Sequence, residues 1–213
     1  MIPKTENPIR LHEYRPISLV RCIYKIIDKI LSNRLKLVLS TIIDYKQSAF
    51  IKDRGLLDGV VMANEVIEEV CNNRMQCLIV KLDFEKAYDS VRWDFLYYML
   101  GRLGFSTKWI SWVKACLESS TISVLVNGSP TQEFNPTKGL RQGDPLAPFL
   151  FLLVAEGLSG LVRQANIKNM LEGISVGRNE TKVNILQFAD DTLFFCKPCL
   201  NNVGVIKSIL RFF

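Results

Sequence analysis

Two adjacent aspartates, Asp190 and Asp191, stand between two apolar runs rich in β-forming residues, Val183–Ala189 and Thr192–Cys196. This pattern predicts a β-hairpin with both carboxylates at its tip. Neighbouring side chains on a strand point to opposite faces, so adjacent aspartates share one site only near a tight turn. Because such close charges repel, their ionised forms need a cation, and Mg²⁺ is the natural occupant. An exposed Asp-Asp turn is the alternative for an isolated pair.

A third carboxylate, Asp83, ends a second strand pattern. The largely apolar residues Cys77–Leu82 before it are typical of a buried strand. If this strand end meets the hairpin tip on one sheet, three carboxylates converge. Two metal ions held roughly 3.5–4 Å apart by such a cluster can activate an attacking oxygen and stabilise a leaving oxygen in phosphoryl transfer. Hydrolytic and nucleotidyl-transfer enzymes share this need, so the carboxylates alone do not choose between them.

Helical signals surround these strands. Apolar residues at helical spacing predict two amphipathic helices in the first 75 residues. Ser90 and Ser106 are candidate N-caps for the two helices that follow Asp83. Asp144 with Pro145 suits the start of a long apolar helix that runs to about Asn166.

The composition is that of a globular protein. Of the 213 residues, 48% are hydrophobic, which argues against disorder. The net charge is +6, and the first forty residues hold eight basic and three acidic side chains. This asymmetry is compatible with a partner that has a phosphate backbone, although ordinary surfaces are often similar.

Membrane, disulfide and zinc signals are weak. The longest apolar run, Pro145–Ala155, is too short to span a bilayer, and the N-terminus lacks the layout of a signal peptide. We therefore expect an intracellular protein with no membrane partner. Six cysteines, mostly in apolar segments, suit reduced thiols and no disulfide-linked partner. Cys196 and Cys199 have metal-ligand spacing without a second pair, and His12 is the only histidine, so a zinc centre is not expected.

Five sequence blocks occur in one order along residues 3–213. They are Tyr14-Arg-Pro-Ile-Ser-Leu19, Gln47-Ser-Ala-Phe-Ile-Lys-Asp-Arg-Gly55, Lys81-Leu-Asp-Phe-Glu-Lys-Ala-Tyr-Asp-Ser-Val91, Gly139-Leu-Arg-Gln-Gly-Asp-Pro-Leu-Ala-Pro148 and Phe188-Ala-Asp-Asp191. With these blocks the sequence resembles the reverse transcriptase domain of LINE-type non-LTR retrotransposons, close to the plant members. Each block is weakly specific alone, whereas five in order and register are strongly specific.

The resemblance implies an α+β fold of two regions. A partly helical fingers region would cover residues 1–75, and a palm would cover residues 76–213, with an insertion near residues 118–138. The palm would have an antiparallel sheet with helices packed on one face. Within the insertion, Asn127-Gly128 is a strong hairpin signal. The resemblance also implies that the chain ends before the thumb, and that it lacks the endonuclease domain of many such elements.

The resemblance assigns the metal site to the three carboxylates. Asp83 and Asp190 would hold two Mg²⁺ ions, with Asp191 as the third carboxylate and the Phe84 carbonyl as a further ligand. Mn²⁺ is a possible substitute.

The nucleotide-binding residues are likewise implied by the resemblance. Tyr88 matches an aromatic steric gate that favours dNTPs, although the start of an apolar helix also suits a core aromatic. Gln142 and Gly143 match the motif that lines the nucleotide pocket. Arg54 and Lys52 match a segment that contacts the phosphates, with a solvated loop charge as the alternative for Arg54.

The implied function is RNA-directed DNA polymerisation. An RNA template, a DNA primer and dNTPs would be the partners, and the primer 3′-hydroxyl would attack the dNTP. The nucleus is the location expected from the family. The chain could also be a degenerate copy, and two other classes remain open. One is a non-catalytic nucleic-acid-binding relic of such a domain, and the other is a different palm-type nucleotidyl enzyme, such as a cyclase.

Overall fold

The computed structural model describes residues 2–3, 6–10, 13–15, 18, 22–126, 128–177 and 181–213. His12, Asn127 and three residues of the first block, Pro16, Ile17 and Leu19, lie outside the described residues.

Helices and strands are mixed along the chain, which confirms the α+β class. The helices are α1 Cys22–Ile42, α2 Leu56–Asn72, α3 Ala87–Ser90, α4 Trp93–Arg102, α5 Thr107–Glu118, α6 Ala147–Ile167 and α7 Leu200–Phe212. The strands are β1 Ile2–Pro3, β2 Tyr14–Arg15, β3 Leu78–Leu82, β4 Leu125–Val126, β5 Ser129–Pro130, β6 Ile174–Val176, β7 Thr181–Val183, β8 Ile185–Phe188 and β9 Asp191–Cys196.

The chain divides into two compact units, each made of two segments. Unit 1 comprises Met1–Leu35 and Lys86–Phe151, and unit 2 comprises Lys36–Glu85 and Leu152–Phe213. Helix α2 lies in the same unit as the sheet that carries Asp83, and the boundary between fingers and palm near residue 75 stays a prediction. A helix that covers one face of a sheet shares its core, wherever the two stand in sequence.

The centre of unit 2 is a three-stranded antiparallel sheet in the order β3-β9-β8. Strands β8 and β9 form the hairpin that the apolar runs predict. Strand β3 pairs with the other edge of β9, from Leu78 opposite Cys196 to Leu82 opposite Thr192. The strand that ends in Asp83 therefore lies beside the strand that begins with Asp191.

Helices cover both faces of this sheet, which corrects the expectation of one covered face. On one face Phe194 packs with Leu158 of α6 and Ile206 of α7. On the other face Phe195 packs with Val66 of α2. Successive strand residues point to opposite faces, so a run with Phe194 and Phe195 both buried requires an apolar layer on each side.

Unit 1 contains the packed helix pair α4 and α5 and the short hairpin β4-β5. The hairpin confirms the turn expected around Gly128. The N-cap expected at Ser106 is present, since its hydroxyl accepts a hydrogen bond from the Trp109 N–H at 3.3 Å. The N-cap expected at Ser90 is wrong, because Ser90 ends α3 and Arg92 precedes α4.

Replacing Ser106 with alanine is expected to lower the free energy of unfolding by about 1 kcal/mol, because the first turn of α5 loses its side-chain acceptor. Urea unfolding measures the change. The matched control is Ser111→Ala in the same helix, where the exposed hydroxyl donates to the Lys108 carbonyl and caps nothing. Equal effects of the two substitutions would contradict the capping role.

Helix α6 is long and apolar enough to cross a membrane by length and composition, although the uninterrupted apolar run Pro145–Ala155, which overlaps its start, is shorter. Of its most apolar 18-residue window, 67% is buried inside the protein. Such burial is typical of the core helix of a globular protein.

Candidate active site

The tip of the β8-β9 hairpin is Ala189 and Asp190. Phe188 pairs with Asp191, so only these two residues form the loop, and Asp191 is the first residue of β9. The tip thus lies one residue earlier than the sequence pattern suggests. Ala189 has a φ of +54°, a left-handed conformation that two-residue hairpin loops commonly require at their first position. A residue with a Cβ is disfavoured there by about 1–2 kcal/mol.

The sheet register brings the three aspartates to one end of the sheet. The last pair between β3 and β9 is Leu82 with Thr192, so Asp83 and Asp191 follow as the next opposed positions. Both side chains are exposed, and that of Asp190, one residue back at the tip, is half-buried. Opposed residues of an antiparallel pair lie on the same face. The predicted convergence of the carboxylates requires the end of β3 to meet the hairpin tip on one sheet. The structure fulfils this condition.

A lysine lies beside these carboxylates. The Lys81 Nζ is 3.4 Å from the Asp191 Oδ1, and both side chains are exposed. An exposed ion pair contributes about 0–1 kcal/mol. Its main effect is on the electrostatics of the site, where the ammonium offsets part of the repulsion between Asp83 and Asp191.

The chemistry of the donors fits a hard divalent cation, since all three side chains offer carboxylate oxygens. As the side chains stand, however, no group of three or more His, Cys, Asp or Glu residues in the described part of the chain is placed to hold a metal ion. Asp191 is instead paired with Lys81. The Phe84 ring, after Asp83, packs edge-on against Phe213, with centroids 5.6 Å apart. This contact anchors the chain just after the candidate ligand Asp83.

In unit 1 the Gly139–Gly143 loop is attached to the chain around Tyr88. The Leu140 N–H donates to the Tyr88 carbonyl at 2.8 Å. Gly139 has a φ of +89°, and a Cβ there would lie 3.0 Å from the Asp89 carbonyl oxygen. Glycine therefore allows the close backbone approach. The loop that carries Gln142 and Gly143 is thus attached to the backbone of Tyr88 through Leu140.

The Tyr88 ring is half-buried and stacks on Phe151, with centroids 4.9 Å apart and an interplanar angle of 13°. This is the packing that the core-aromatic alternative requires, and it also fixes the orientation of the ring. The role of Tyr88 as a steric gate stays a prediction. The Gln142 side chain is half-buried, and Gly143, with a φ of +92°, is exposed.

The same loop is anchored by a buried ion cluster that sequence reasoning missed. The Arg141 Nη2 lies 3.0 Å from the Asp144 Oδ2 and 3.6 Å from the Asp28 Oδ2, and it donates to the Cys116 carbonyl at 3.2 Å. Burial, with a smaller contribution from Asp144, raises the pKa of Asp28 to about 6 against the opposing charge of Arg141. A single aspartate in the amphipathic helix α1 gives no sequence signal for this partner.

Arg54 binds protein carbonyls in unit 2. Its Nη1 donates to the carbonyls of Asp44 and Gln47, at 2.6 and 2.9 Å. Its Nη2 donates to those of Ser40 and Ile43, both at 3.2 Å. The guanidinium thus holds the end of α1 and the loop after it. Lys52, the other residue predicted to contact phosphates, is exposed in a turn.

Replacing Arg54 with lysine is expected to lower the free energy of unfolding by about 1–3 kcal/mol, because an ammonium cannot bridge four spread carbonyls. Urea unfolding and the KM for dNTP are measured together. Lys52→Met serves as the stability control and is expected to leave unfolding unchanged. Unchanged unfolding with a raised KM in Arg54→Lys would instead favour the phosphate contact.

The chain is similar to one known family along nearly its whole length. A model of the family "Reverse transcriptase (RNA-dependent DNA polymerase)" matches residues 2–212. The chain belongs to the reverse transcriptase family. This confirms the resemblance noted in the five blocks.

Proteins similar to this reverse transcriptase domain include several from non-LTR retrotransposons. It is 29% identical over 211 residues to a Pol polyprotein from the type-2 retrotransposable element R2DM of Drosophila melanogaster, which covers 99% of this chain and 19% of the relative. It is also 29% identical over 197 residues to a Pol polyprotein from the type-1 element R2 of Popillia japonica, covering 91% and 26%. The chain therefore spans about a quarter or less of these relatives. An uncharacterized mitochondrial protein of Arabidopsis thaliana is 52% identical over 68 residues, covering 32% of this chain and 56% of the relative.

Solved structures with a similar fold include telomerases. The apo telomerase of Candida tropicalis truncated from its C-terminal domain superposes with a TM-score of 0.58 at 14% identity, covering 87% of this chain and 36% of the telomerase. The Candida albicans telomerase, solved with a TWJ fragment of telomeric RNA, gives 0.59 at 12% identity, covering 88% and 32%. At these identities the comparison shows the shared fold, which agrees with the α+β class expected for a reverse transcriptase.

Proposed function

We propose that this domain catalyses RNA-directed DNA synthesis with two Mg²⁺ ions held by Asp83, Asp190 and Asp191. The observation that supports the proposal most directly is the register of the central sheet, in which Asp83 and Asp191 follow the last β3-β9 pair as opposed residues. Three carboxylates from two distant sequence blocks thereby reach one end of one sheet. Two of the three are exposed, and a structural role alone does not explain this concentration of negative charge.

The carboxylates at the end of the sheet act as the metal ligands for nucleotidyl transfer. Asp83 and Asp190 provide the anionic oxygens that hold the cations, with Asp191 as the third carboxylate and the Phe84 carbonyl as a further ligand. Bound there, Mg²⁺ supplies the positive charge that stabilises the dNTP triphosphate and the attacking primer 3′-hydroxyl. Mn²⁺, which also accepts oxygen ligands, substitutes for it.

The nucleotide is selected by residues of unit 1. The Tyr88 ring, held by its stacking on Phe151, excludes a ribose 2′-hydroxyl and so favours dNTPs. Gln142 and Gly143, on the loop attached to the Tyr88 carbonyl, line the nucleotide pocket. Lys52 contacts the phosphates. The fingers and palm names, an RNA template with a DNA primer, and a nuclear location belong to the same proposal.

Primer extension on an RNA template with dNTPs and Mg²⁺ tests the proposal, using the native chain and the double variant Asp190→Asn/Asp191→Asn. Incorporation by the native chain alone is the expected result. Equal incorporation by both would overturn it. A folded native chain that binds RNA in a salt-dependent manner without incorporation would instead identify a nucleic-acid-binding relic of the domain.

A further inference from the structure

The side chain of Gln47 forms hydrogen bonds with both backbone groups of Ala189, the residue that precedes Asp190. Its Oε1 accepts hydrogen bonds from the backbone N–H groups of Ala189 and Ala49, both at 3.0 Å. Its Nε2 donates to the Ala189 carbonyl at 3.3 Å. Gln47 is 1% exposed, so these bonds form out of contact with water. One carboxamide thus satisfies both backbone groups of a hairpin-tip residue 142 positions away.

The backbone around Gln47 is itself fixed against β8. The Gln187 N–H donates to the Lys46 carbonyl at 2.9 Å, and the Ser48 N–H donates to the Gln187 carbonyl at 3.1 Å. Arg54 adds the hydrogen bond to the Gln47 carbonyl described above. The carboxamide therefore projects toward the hairpin tip from a segment that is held on both sides.

These contacts bear on the conformation of Ala189. Its φ of +54° is one that the two-residue loop favours but that alanine disfavours, so hydrogen bonds from outside the hairpin are expected to offset part of the cost. The two bonds from Gln47 do so, because they require the Ala189 N–H and carbonyl together in their present directions. Among side chains of this length, only a glutamine carboxamide provides both an acceptor and a neutral donor. Glutamate lacks the donor, and methionine lacks both strong groups.

We propose that Gln47 is a positioning residue that holds Ala189 in its left-handed conformation and thereby directs the carboxylate of Asp190. This rests on the proposed function, in that Asp190 acts as a metal ligand. A carboxylate displaced by about 1 Å can lower a rate by about a hundredfold. Gln47, in the second sequence block, would thus position the tip of the β8-β9 hairpin, which lies in the same unit.

The test is a rescue experiment. Gln47→Met keeps the length of the side chain and removes its hydrogen bonds, and it is expected to lower kcat about 10- to 100-fold with KM for dNTP nearly unchanged. Glycine adopts a positive φ without strain, so Ala189→Gly in the Gln47→Met background is expected to restore most of kcat. A merely structural loss of stability at Gln47 would not be repaired by a second, intrinsically flexible residue.

The matched control is Asn202→Leu, which removes another buried carboxamide of unit 2. Asn202 is 0% exposed, accepts from the Glu172 N–H and donates to the Lys197 carbonyl. Its loss is expected to lower stability while leaving kcat unchanged in the folded fraction. Equal losses of kcat in Gln47→Met and Asn202→Leu, with no rescue by Ala189→Gly, would overturn the proposal.

Amide hydrogen exchange tests the positioning independently of activity. Peptides covering β8 and β9 are expected to exchange at least about tenfold faster at the hairpin tip in Gln47→Met, and to regain protection in the double variant. Asn202→Leu is expected to leave the tip protected. A native chain without incorporation would contradict the proposed function, and exchange would then decide the role of Gln47 alone. Unchanged exchange at the hairpin tip in Gln47→Met would refute the positioning role of Gln47.

Discussion

Replacing Asp83 or Asp190 with asparagine is expected to lower kcat/KM for nucleotide incorporation by at least about a hundredfold. Asparagine keeps the shape of the side chain and removes the charge that holds the cation. Substituting residues that only orient metal ligands typically costs 10- to 100-fold in affinity or activity, so loss of a ligand charge should cost more. Single-nucleotide incorporation opposite an RNA template, measured across a Mg²⁺ titration, gives both the rate and the metal requirement.

Two further substitutions serve as comparisons for the effects expected at Asp83 and Asp190. Asp191→Asn is expected to have a smaller effect, of about tenfold, because Lys81 already offsets part of the Asp191 charge. Asp94→Asn removes an exposed carboxylate that pairs with Arg92 at the start of α4, and is expected to leave incorporation unchanged. Activity that survives Asp190→Asn, or falls equally in Asp94→Asn, would exclude the carboxylate site.

Local patterns predicted the elements that carry the site. The two apolar runs rich in β-forming residues on either side of the Asp-Asp pair are enough to predict the β8-β9 hairpin, and the hydroxyl of Ser106 is enough to predict a helix start. Both signals depend on residues within a few positions of one another, where backbone preferences and capping bonds act. The tip was misplaced by one residue because an alanine with positive φ has no local sequence signal.

Long-range contacts were the part that the sequence did not predict. Arg54 matched a phosphate-binding segment, yet its guanidinium donates to four backbone carbonyls, which no pattern of residue types reveals. Gln47 is the first residue of the second block, and the sequence gives no sign of its hydrogen bonds to Ala189. The second covered face of the sheet also depends on α2 folding back to Phe195. These features arise from tertiary packing, which overrides local preference and is not encoded in periodicity.

The largest expected loss of stability follows from removing the cation of the buried cluster in unit 1. Arg141→Met is expected to lower the free energy of unfolding by about 3–5 kcal/mol at pH 8, because two carboxylates would remain buried without a partner. The Asp28 and Asp144 side chains are 0% and 6% exposed, so water cannot replace the guanidinium. Urea unfolding at pH 8 measures the change.

The pH dependence of the cluster has a defined sign. The pKa of Asp28 is raised by burial from 3.8 to about 6 in the folded chain, so the folded state favours the protonated carboxyl. The stability that this provides is fully present below about pH 4 and is lost as pH rises through about 6. Asp28→Asn mimics the protonated form and is therefore expected to be more stable than the native chain at pH 8, by an amount of the order of 2 kcal/mol. Between pH 4 and 7 its stability should vary less with pH.

Combining the two substitutions shows whether the cluster behaves as one unit. In Arg141→Met the charge that opposes protonation of Asp28 is absent, so the pKa of Asp28 should rise further. Asp28→Asn should then stabilise Arg141→Met by more than it stabilises the native chain at pH 8. Asp144 would remain buried without a cation in the double variant, so the rescue should be partial. Additive effects, or a native stability curve parallel to that of Asp28→Asn between pH 4 and 7, would contradict the coupling of Asp28 to Arg141.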